Sequence, residues 1–285
     1  MKVVLFCGGY GMRMRDGTTA APKPMAMIGD RPLLWNVMRY YAHFGHRDFI
    51  LCLGYGANYV KDYFLNYKET SSNNFVLRNG GRDVELLSHD ISDWNITFVH
   101  TGIETAIGER LRRVRPFLDG DDMFLANYAD VLTDAPLNRV VDRFAHSDAA
   151  ASLLAVPPQQ AFHVLSLNED RVDDIHSLNR LDLHENGGYF VLRQEVFDVL
   201  EEGDDLVTDG LARLAKDGRL LAYPYDGFWM PADTLKERSS LEDMYHRGVR
   251  PWALWDNSEV RSQPCNEIYE GEFGEPVVDG SSPSR

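Results

Sequence analysis

Three glycines and an arginine follow directly on an apolar run near the start of the sequence. The run KVVLF ends at Phe6, and Gly8, Gly9, Gly11 and Arg13 come next in the stretch CGGYGMRM. A glycine-rich turn after a buried strand lets backbone N–H groups converge on an anion, and a neighbouring guanidinium adds further donors. The alternative is a plain tight turn in which glycine supplies a positive φ.

The spacing excludes two familiar phosphate loops. A Walker loop requires GxxxxGK[ST], and no Lys-Ser or Lys-Thr pair follows the glycines. A dinucleotide fingerprint requires GxGxxG and an acidic residue about 20 positions later, whereas the glycines here are spaced GGxG and no carboxylate ends the second apolar run. An anion site of another kind therefore remains.

Lys23 and Asp130 are the next candidates. Lys23 lies between Pro22 and Pro24, so its backbone is held extended and cannot enter a helix. Asp130 follows the apolar run FLANY, at a predicted strand end, where open α/β sheets bind their ligands. Lys23 and Asp130 therefore add a positioned cation and a carboxylate to the candidate residues of the glycine-rich loop.

Asp233 precedes a predicted helix in the stretch GFWMPADTLKE. The residue before a helix is often an N-cap, but Thr234 with Glu237 fits a capping box and leaves Asp233 free. Two carboxylates from different sheet ends, a fixed lysine and a glycine-arginine loop are the parts for Mg²⁺-assisted chemistry on a nucleotide. Asp130 and Asp233 are therefore the predicted metal ligands.

Short apolar runs alternate with amphipathic stretches along the first part of the chain. This alternation predicts βαβ units, and hence a Rossmann-like, doubly wound α/β fold with a mixed, mostly parallel sheet and helices on both faces. After residue 158, further strand-like runs predict a mixed extension of the same sheet. The predicted strands are KVVLF, FILCLGY, NITFVH, DMFLANY, AASLLAV, FHVLSL and GGYFVLR, and the predicted helices are RPLLWNVMRYYAHF, LNRVVDRFAHS, EVFDVL and LVTDGLARLAKDG.

Composition narrows the function classes. The chain has 285 residues and a formal net charge of −15, which argues against a large nucleic-acid footprint because such a surface is basic. No apolar run reaches the roughly 18 residues of a membrane span, and no secretory signal is visible, so a cytoplasmic location is expected. We predict one catalytic domain over residues 1–256, with a nucleotide half at 1–156 and a sugar and metal half at 157–256. A flexible acidic tail is predicted for residues 257–285.

Several motifs in order resemble one enzyme family, the sugar-1-phosphate nucleotidyltransferases, and within it the glucose-1-phosphate cytidylyltransferase branch. The family's GGxGTRL…KPKPM signature corresponds to GGYGMRMRDGTTAAPKPM. The resemblance spans roughly residues 1–256 and also rests on ILCLGYGANYVKDYFLNY, ITFVHTG, GERLRRV, FLANYADVLTD, ENGGYFVL and GFWMPADTLKERSSLEDMY.

The resemblance implies a reaction in which an NTP, CTP by this branch, and a hexose 1-phosphate give an NDP-sugar and pyrophosphate with the help of Mg²⁺. It also implies a homo-oligomer. Arg13 and Lys23 are the implied catalytic residues, and Asp130 and Asp233 the implied metal ligands. The implied nucleotide-binding residues are Gly8, Gly9, Gly11, Met12, Thr101, Gly102 and Arg110, and the implied sugar-phosphate-binding residues are Tyr128, Arg180, Asn186, Gly187, Gly188 and Asp209.

The chain departs from the family pattern mainly on the sugar side. Met12 replaces a threonine of the glycine-rich loop, and Ala129 and Val131 replace the glycines of the family's Gly-Asp-Gly. The family's Glu-Lys-Pro motif is missing, with Arg180 as the nearest cation, and Asp209 stands in for an acidic pair.

These departures leave two alternatives to a cytidylyltransferase. One is the same chemistry with dTTP, UTP or GTP on an unusual sugar or cyclitol phosphate. The other is a catalytically silent regulatory subunit that binds nucleotide sugars.

Overall fold

The computed structural model describes residues 1–9, 21–159, 162–178 and 181–256. The predicted acidic tail, 257–285, lies outside the described residues. The strands are β1 (Lys2–Phe6), β2 (Met27–Ile28), β3 (Arg31–Pro32), β4 (Asp48–Leu53), β5 (Phe75–Arg78), β6 (Asp83–Leu86), β7 (Asn95–His100), β8 (Met123–Asn127), β9 (Val131–Thr133), β10 (Ala151–Val156), β11 (His163–Asn168), β12 (Arg171–Ser177), β13 (Glu185–Arg193), β14 (Leu220–Pro224) and β15 (Trp229–Pro231).

Six α-helices accompany these strands in the described part of the chain. They are α1 (Leu33–His43), α2 (Ala57–Leu65), α3 (Ile107–Val114), α4 (Leu137–Ala145), α5 (Ala212–Lys216) and α6 (Leu235–His246). A π-helical turn, Leu206–Leu211, leads into α5, and short 3₁₀ turns include Lys23–Met25 and Gln194–Asp198.

A seven-stranded mixed sheet forms the centre of the molecule, in the order β14-β10-β13-β8-β1-β4-β7. Strands β8, β1, β4 and β7 are parallel neighbours, and β10 pairs in parallel with β14. Strand β13 lies antiparallel between β8 and β10. The mixed, mostly parallel sheet of the predicted fold class is confirmed.

Strand β1 is covered on both faces, which explains its uninterrupted apolar run. Val3 and Leu5 belong to one core cluster, which also takes side chains from α1, α2, α4 and α6. Val4 and Phe6 belong to a second cluster, which takes side chains from α3 and α5. Successive side chains of a strand point to opposite faces, so every position of a doubly covered strand is apolar.

Not every predicted strand joins the central sheet. FHVLSL was predicted to extend it, and this prediction is wrong: most of its residues form β11, which, within the described parts of the chain, pairs with β12 in a separate hairpin. The hairpin is largely exposed, so its alternating pattern reflects two partly solvated faces. The hairpin β5–β6 is equally exposed, and its short mixed sequence carried no strand signal.

Among the described residues, no helix combines the length and the apolar character that a membrane crossing demands.

Candidate active site

Lys23 meets both predicted metal ligands. Its Nζ donates a hydrogen bond to Asp130 Oδ2 at 2.6 Å and another to Asp233 Oδ1. The extended backbone predicted for Lys23 is wrong: Lys23–Met25 is a 3₁₀ turn, entered from Pro22 at φ −69° and ψ 154°. Proline fixes φ near this value, so the sequence holds the lysine backbone in place on both sides. Three residues that are far apart in sequence therefore converge at one point.

Asp130 is presented by a left-handed turn at the end of β8. Ala129 has φ +63°, a conformation that L-residues other than glycine seldom adopt. The buried side chain of Asn127 accepts a hydrogen bond from the Ala129 N–H at 2.6 Å and so stabilises this turn. Sequence analysis did not single out Asn127, although an asparagine at a strand end just before a turn is a recognisable signal.

A two-stranded ribbon brings Asp130 and Asp233 together. Strand β9 begins one residue after Asp130, and β15 ends two residues before Asp233. The strands pair antiparallel, with Val131 opposite Pro231, so both carboxylates lie at the same end of the ribbon. The Ala232 N–H also donates to the Asp130 carbonyl at 2.9 Å. Since the ribbon is short, sequence patterns alone did not reveal it.

The carboxylate of Asp233 is not used as a helix cap. Thr234 is the N-cap of α6, and its hydroxyl accepts from the Glu237 N–H at 3.2 Å. The Glu237 carboxylate in turn accepts from the N–H groups of Asp233 and Thr234. The predicted capping box is therefore confirmed, and it leaves the Asp233 side chain to Lys23.

Burial and charge act in opposite directions on this cluster. Burial by itself would lower the pKa of Lys23, but the nearby carboxylates, Asp130 above all, outweigh it and raise that pKa. Burial raises the pKa of Asp130, and Lys23 opposes this without cancelling it. The lysine is therefore a fully charged ammonium at neutral pH.

Gly8 lies against Arg110, and this contact explains why position 8 lacks a side chain. A Cβ atom at Gly8 would lie 2.1 Å from Arg110 Nη1. Gly9 is exposed, and nothing lies near the place of its missing side chain. The space beside the Gly8 α-carbon is therefore filled by the Arg110 guanidinium, whereas the space beside Gly9 is open.

Arg110 has its guanidinium fully engaged with the protein. The side chain is 4% exposed, and each of its five N–H groups donates a hydrogen bond. The acceptors are the carbonyl oxygens of Gly8, Gly102, Ile103 and Thr105 and the hydroxyl of Thr101. A contact between Arg110 and the nucleotide stays a prediction; in this structure Arg110 ties the loop after β7 to the glycine-rich loop.

The predicted nucleotide-binding residues Thr101 and Gly102 accept two of these hydrogen bonds from Arg110. The Thr101 side chain is fully buried, and its hydroxyl donates to the Leu53 carbonyl at 3.0 Å. Gly102 has φ +91° and offers its carbonyl to Arg110. The Thr101 hydroxyl and the Gly102 carbonyl are therefore bonded within the protein and stabilise the loop after β7.

Four predicted sugar-side residues lie together beside Asp130. Asn186 donates from its amide to the Tyr128 hydroxyl at 3.0 Å and accepts from the Gly188 N–H at 3.0 Å. Gly188 has φ +74°, and a Cβ atom there would lie 2.7 Å from the Tyr128 ring. The Gly187 carbonyl accepts from the Trp229 indole N–H at 2.8 Å. The start of β13 is thus bonded to the turn that presents Asp130.

Asp209 has a local role in the structure. It lies in the π-helical turn Leu206–Leu211 and accepts from the Asp205 N–H at 2.8 Å. Its assignment to the sugar phosphate stays a prediction. Four other predicted site residues lie outside the described parts of the chain: Gly11, Met12, Arg13 and Arg180.

Comparisons with known proteins show the family to which the chain belongs. A family model for nucleotidyl transferases matches residues 2–234. The chain is 35% identical over 257 residues to a Bacillus subtilis (strain 168) protein named "Probable glucose-1-phosphate cytidylyltransferase", covering 90% of this chain and 100% of the relative. It is 34% identical over 260 residues to the glucose-1-phosphate cytidylyltransferase of Salmonella typhimurium, with the same coverage.

A solved structure shows the same fold. The UTP-bound UGPase from Acinetobacter baumannii superposes with a TM-score of 0.64 at 18% identity, over 92% of this chain and 99% of that one. At such low identity the likeness concerns the fold. The family match over most of the chain, and the full-length identity to two relatives, identify the enzyme class. The chain therefore belongs to the nucleotidyl transferase family and, within it, to the sugar-1-phosphate nucleotidyltransferases.

Proposed function

We propose that this enzyme joins CTP and glucose 1-phosphate to give CDP-glucose and pyrophosphate. The observation that carries the proposal is the convergence of Lys23, Asp130 and Asp233 at the ends of the ribbon β9–β15. The choice of CTP and glucose 1-phosphate is supported by two relatives that bear this activity in their names and match over their entire length.

In this reaction, a phosphate oxygen of the sugar phosphate forms a bond to the α-phosphorus of the NTP. The bond from that phosphorus to the bridging oxygen breaks, and pyrophosphate leaves with the electron pair. Such a transfer needs positioning and charge neutralisation rather than a covalent nucleophile on the protein. We assign Lys23 to the α-phosphate, where negative charge grows in the transition state.

The donor set fits a divalent cation such as Mg²⁺. Asp130 and Asp233 already share one cation, the ammonium of Lys23. Over the described residues, no cluster of three or more His, Cys, Asp or Glu side chains could form a closed metal cage. Mg²⁺ commonly uses one or two carboxylates and completes its shell with waters and substrate phosphates. Bound there, the ion would neutralise phosphate charge and polarise the phosphoryl oxygens.

Other parts of the proposal rest on the family resemblance. Arg13 stabilises the departing pyrophosphate, and the backbone of Gly8, Gly9, Gly11 and Met12 follows the triphosphate. Tyr128, Asn186, Gly187 and Gly188 line the sugar pocket with Arg180 and Asp209. The enzyme works as a homo-oligomer in the cytoplasm, and its two halves supply Asp130 and Asp233 respectively.

The test is to measure pyrophosphate release with glucose 1-phosphate and each of CTP, UTP, dTTP, GTP and ATP at saturating Mg²⁺. We expect CTP to give the highest kcat/KM. If CTP is consumed more slowly than another NTP, the assignment of the base is wrong. If no NTP is consumed with any hexose 1-phosphate, the assignment of glucose 1-phosphate as the substrate is wrong.

One observation favours the alternative in which the sugar differs. Ala129 and Val131 are both buried beside Asp130, where the family pattern has glycines. Both side chains pack into the hydrophobic core, so they change the site through the turn that presents Asp130. Turnover with a heptose or cyclitol phosphate well above that with glucose 1-phosphate would support this second candidate.

A further inference from the structure

The ammonium of Lys23 occupies the place between the two predicted metal ligands. It bonds to one oxygen of each carboxylate, Asp130 Oδ2 and Asp233 Oδ1. The Lys23 side chain is 14% exposed, against 21% for Asp130 and 42% for Asp233. The lysine therefore approaches from the protein interior, and the more open carboxylate is on the solvent side.

A divalent cation bridging the same two carboxylates would exclude the lysine from this place. Mg²⁺ binds oxygen at about 2.0–2.1 Å in a strict octahedron, so its coordination sphere would overlap an ammonium held within hydrogen-bond distance of the same oxygens. Repulsion between the two positive charges acts in the same direction, and it is strong in a partly buried site. The two cations therefore cannot occupy this pair of oxygens at the same time.

The lysine can leave without a change in the fold. Its backbone is held by Pro22 and by the turn Lys23–Met25, whose Met25 N–H donates to the Pro22 carbonyl at 2.8 Å. The flexible four-carbon side chain carries the charge, and it can swing to another anion. A triphosphate arriving with its own metal offers such an anion.

We propose that Lys23 is the resident cation of the metal site: it neutralises Asp130 and Asp233 in the nucleotide-free enzyme and excludes divalent cations until a triphosphate draws its ammonium away. This inference rests on the metal assignment in the proposed function. It makes metal and nucleotide binding mutually dependent, because the departure that admits the metal also delivers the lysine to the phosphates.

Binding of Mn²⁺ to the nucleotide-free full-length protein tests the proposal, with free Mn²⁺ followed by electron paramagnetic resonance. The variant is Lys23→Met, which keeps the length of the side chain and removes the charge. We expect it to bind one Mn²⁺ at least tenfold more tightly than the wild type. Lys23→Gln is a second neutral variant in case Lys23→Met does not fold.

Lys236→Met is the matched control. This lysine is exposed on α6, close to Asp233 in sequence, and its loss removes the same charge from the neighbourhood. We expect its Mn²⁺ affinity to stay within twofold of wild type. Adding Asp130→Asn to Lys23→Met should remove the gain, which places the ion at this carboxylate pair. A gain that survives Asp130→Asn overturns the proposal, and so does an equal gain in Lys236→Met.

The proposal also fails if the folded Lys23 variants bind Mn²⁺ no better than wild type. That result is distinguishable from failure of the proposed function, which is read from NTP turnover by the wild type. An enzyme that turns over CTP without any gain in the Lys23 variants keeps its function and loses this inference. If the Lys23 variants gain Mn²⁺ affinity but the wild type consumes no NTP, this inference stands and the proposed function fails.

Discussion

The five hydrogen bonds that Arg110 donates to the protein lead to a prediction that distinguishes a structural role of this arginine from a role in ligand binding. Arg110→Met removes five hydrogen bonds, four of which end on backbone carbonyl oxygens of two loops. Leaving a buried acceptor without a donor costs about 1–3 kcal/mol, but neighbouring losses are not additive and water can enter part of the space. We therefore expect the free energy of unfolding to fall by about 3–5 kcal/mol, the range found when one partner of a buried charged network is removed.

Arg110→Lys keeps the charge but cannot reproduce the planar fork of donors, so we expect about 2–3 kcal/mol of destabilisation from the unmade bonds. Urea unfolding measures both variants. Arg112→Met is the matched control, because Arg112 lies on the same helix, is 36% exposed, and makes a surface ion pair with Glu109. Its loss should cost at most about 1 kcal/mol.

Nucleotide binding supplies the second measurement for Arg110. The rise in Tm that saturating CTP and Mg²⁺ produce should shrink in Arg110→Lys together with stability, because both loops of the site loosen. The reasoning is refuted if Arg110→Lys unfolds at the wild-type urea concentration yet loses the CTP-induced rise in Tm. Such a result would mean that the guanidinium contacts the nucleotide directly, as sequence resemblance implied.

Three further predictions concern single residues. Asp130→Asn should abolish pyrophosphate release at saturating Mg²⁺ while circular dichroism shows an intact fold; unchanged activity would refute the metal assignment. Asn127→Ala should cost about 1–3 kcal/mol of stability, measured in urea, because the buried Ala129 N–H loses its acceptor, and kcat should fall as Asp130 is held less firmly; wild-type stability would contradict the role given to this turn. His46 has its pKa lowered to about 4, by burial first and then by the positive charges of the N-terminus and Arg47. The unfolded chain therefore binds a proton at His46 near pH 6.5 that the folded chain does not bind until about pH 4. Stability should fall as the pH drops through this window, and His46→Gln should fall less; an equal fall in both proteins would show that His46 does not titrate in this way.

The sequence was sufficient to select Lys23, Asp130 and Asp233 as parts of one site, although it did not reveal the ribbon that brings the two carboxylates together. Each residue carries a local signal: two flanking prolines, the end of an apolar strand, and a capping box that leaves an aspartate over. Only Asp130 follows a strand of the central sheet, at the edge where α/β folds bind their ligands. Most of the central sheet was predictable because its inner strands are buried on both faces and read as apolar runs, whereas the partly exposed edge strand β14 was not predicted.

The role of Arg110 could not be read from the sequence. An arginine in a motif is equally suited to bind a phosphate or a set of backbone carbonyls, and carbonyl acceptors are present in every residue. Only the folded loops decide which acceptors lie within reach. The ribbon β9–β15 was missed because three-residue strands carry too little periodicity, and FHVLSL was misplaced because alternation does not specify a pairing partner.

The position of β13 has a consequence for the order in which the chain can be completed during synthesis. This strand is made after β10 but lies between β8 and β10. A ribosome that has released only residues 1–156 therefore presents β8 with an open edge and β10 with no strand beside it, a state prone to aggregation. The central sheet thus takes strands from both predicted halves, and a nascent chain cannot hold Asp233 beside Lys23 until residue 233 has emerged.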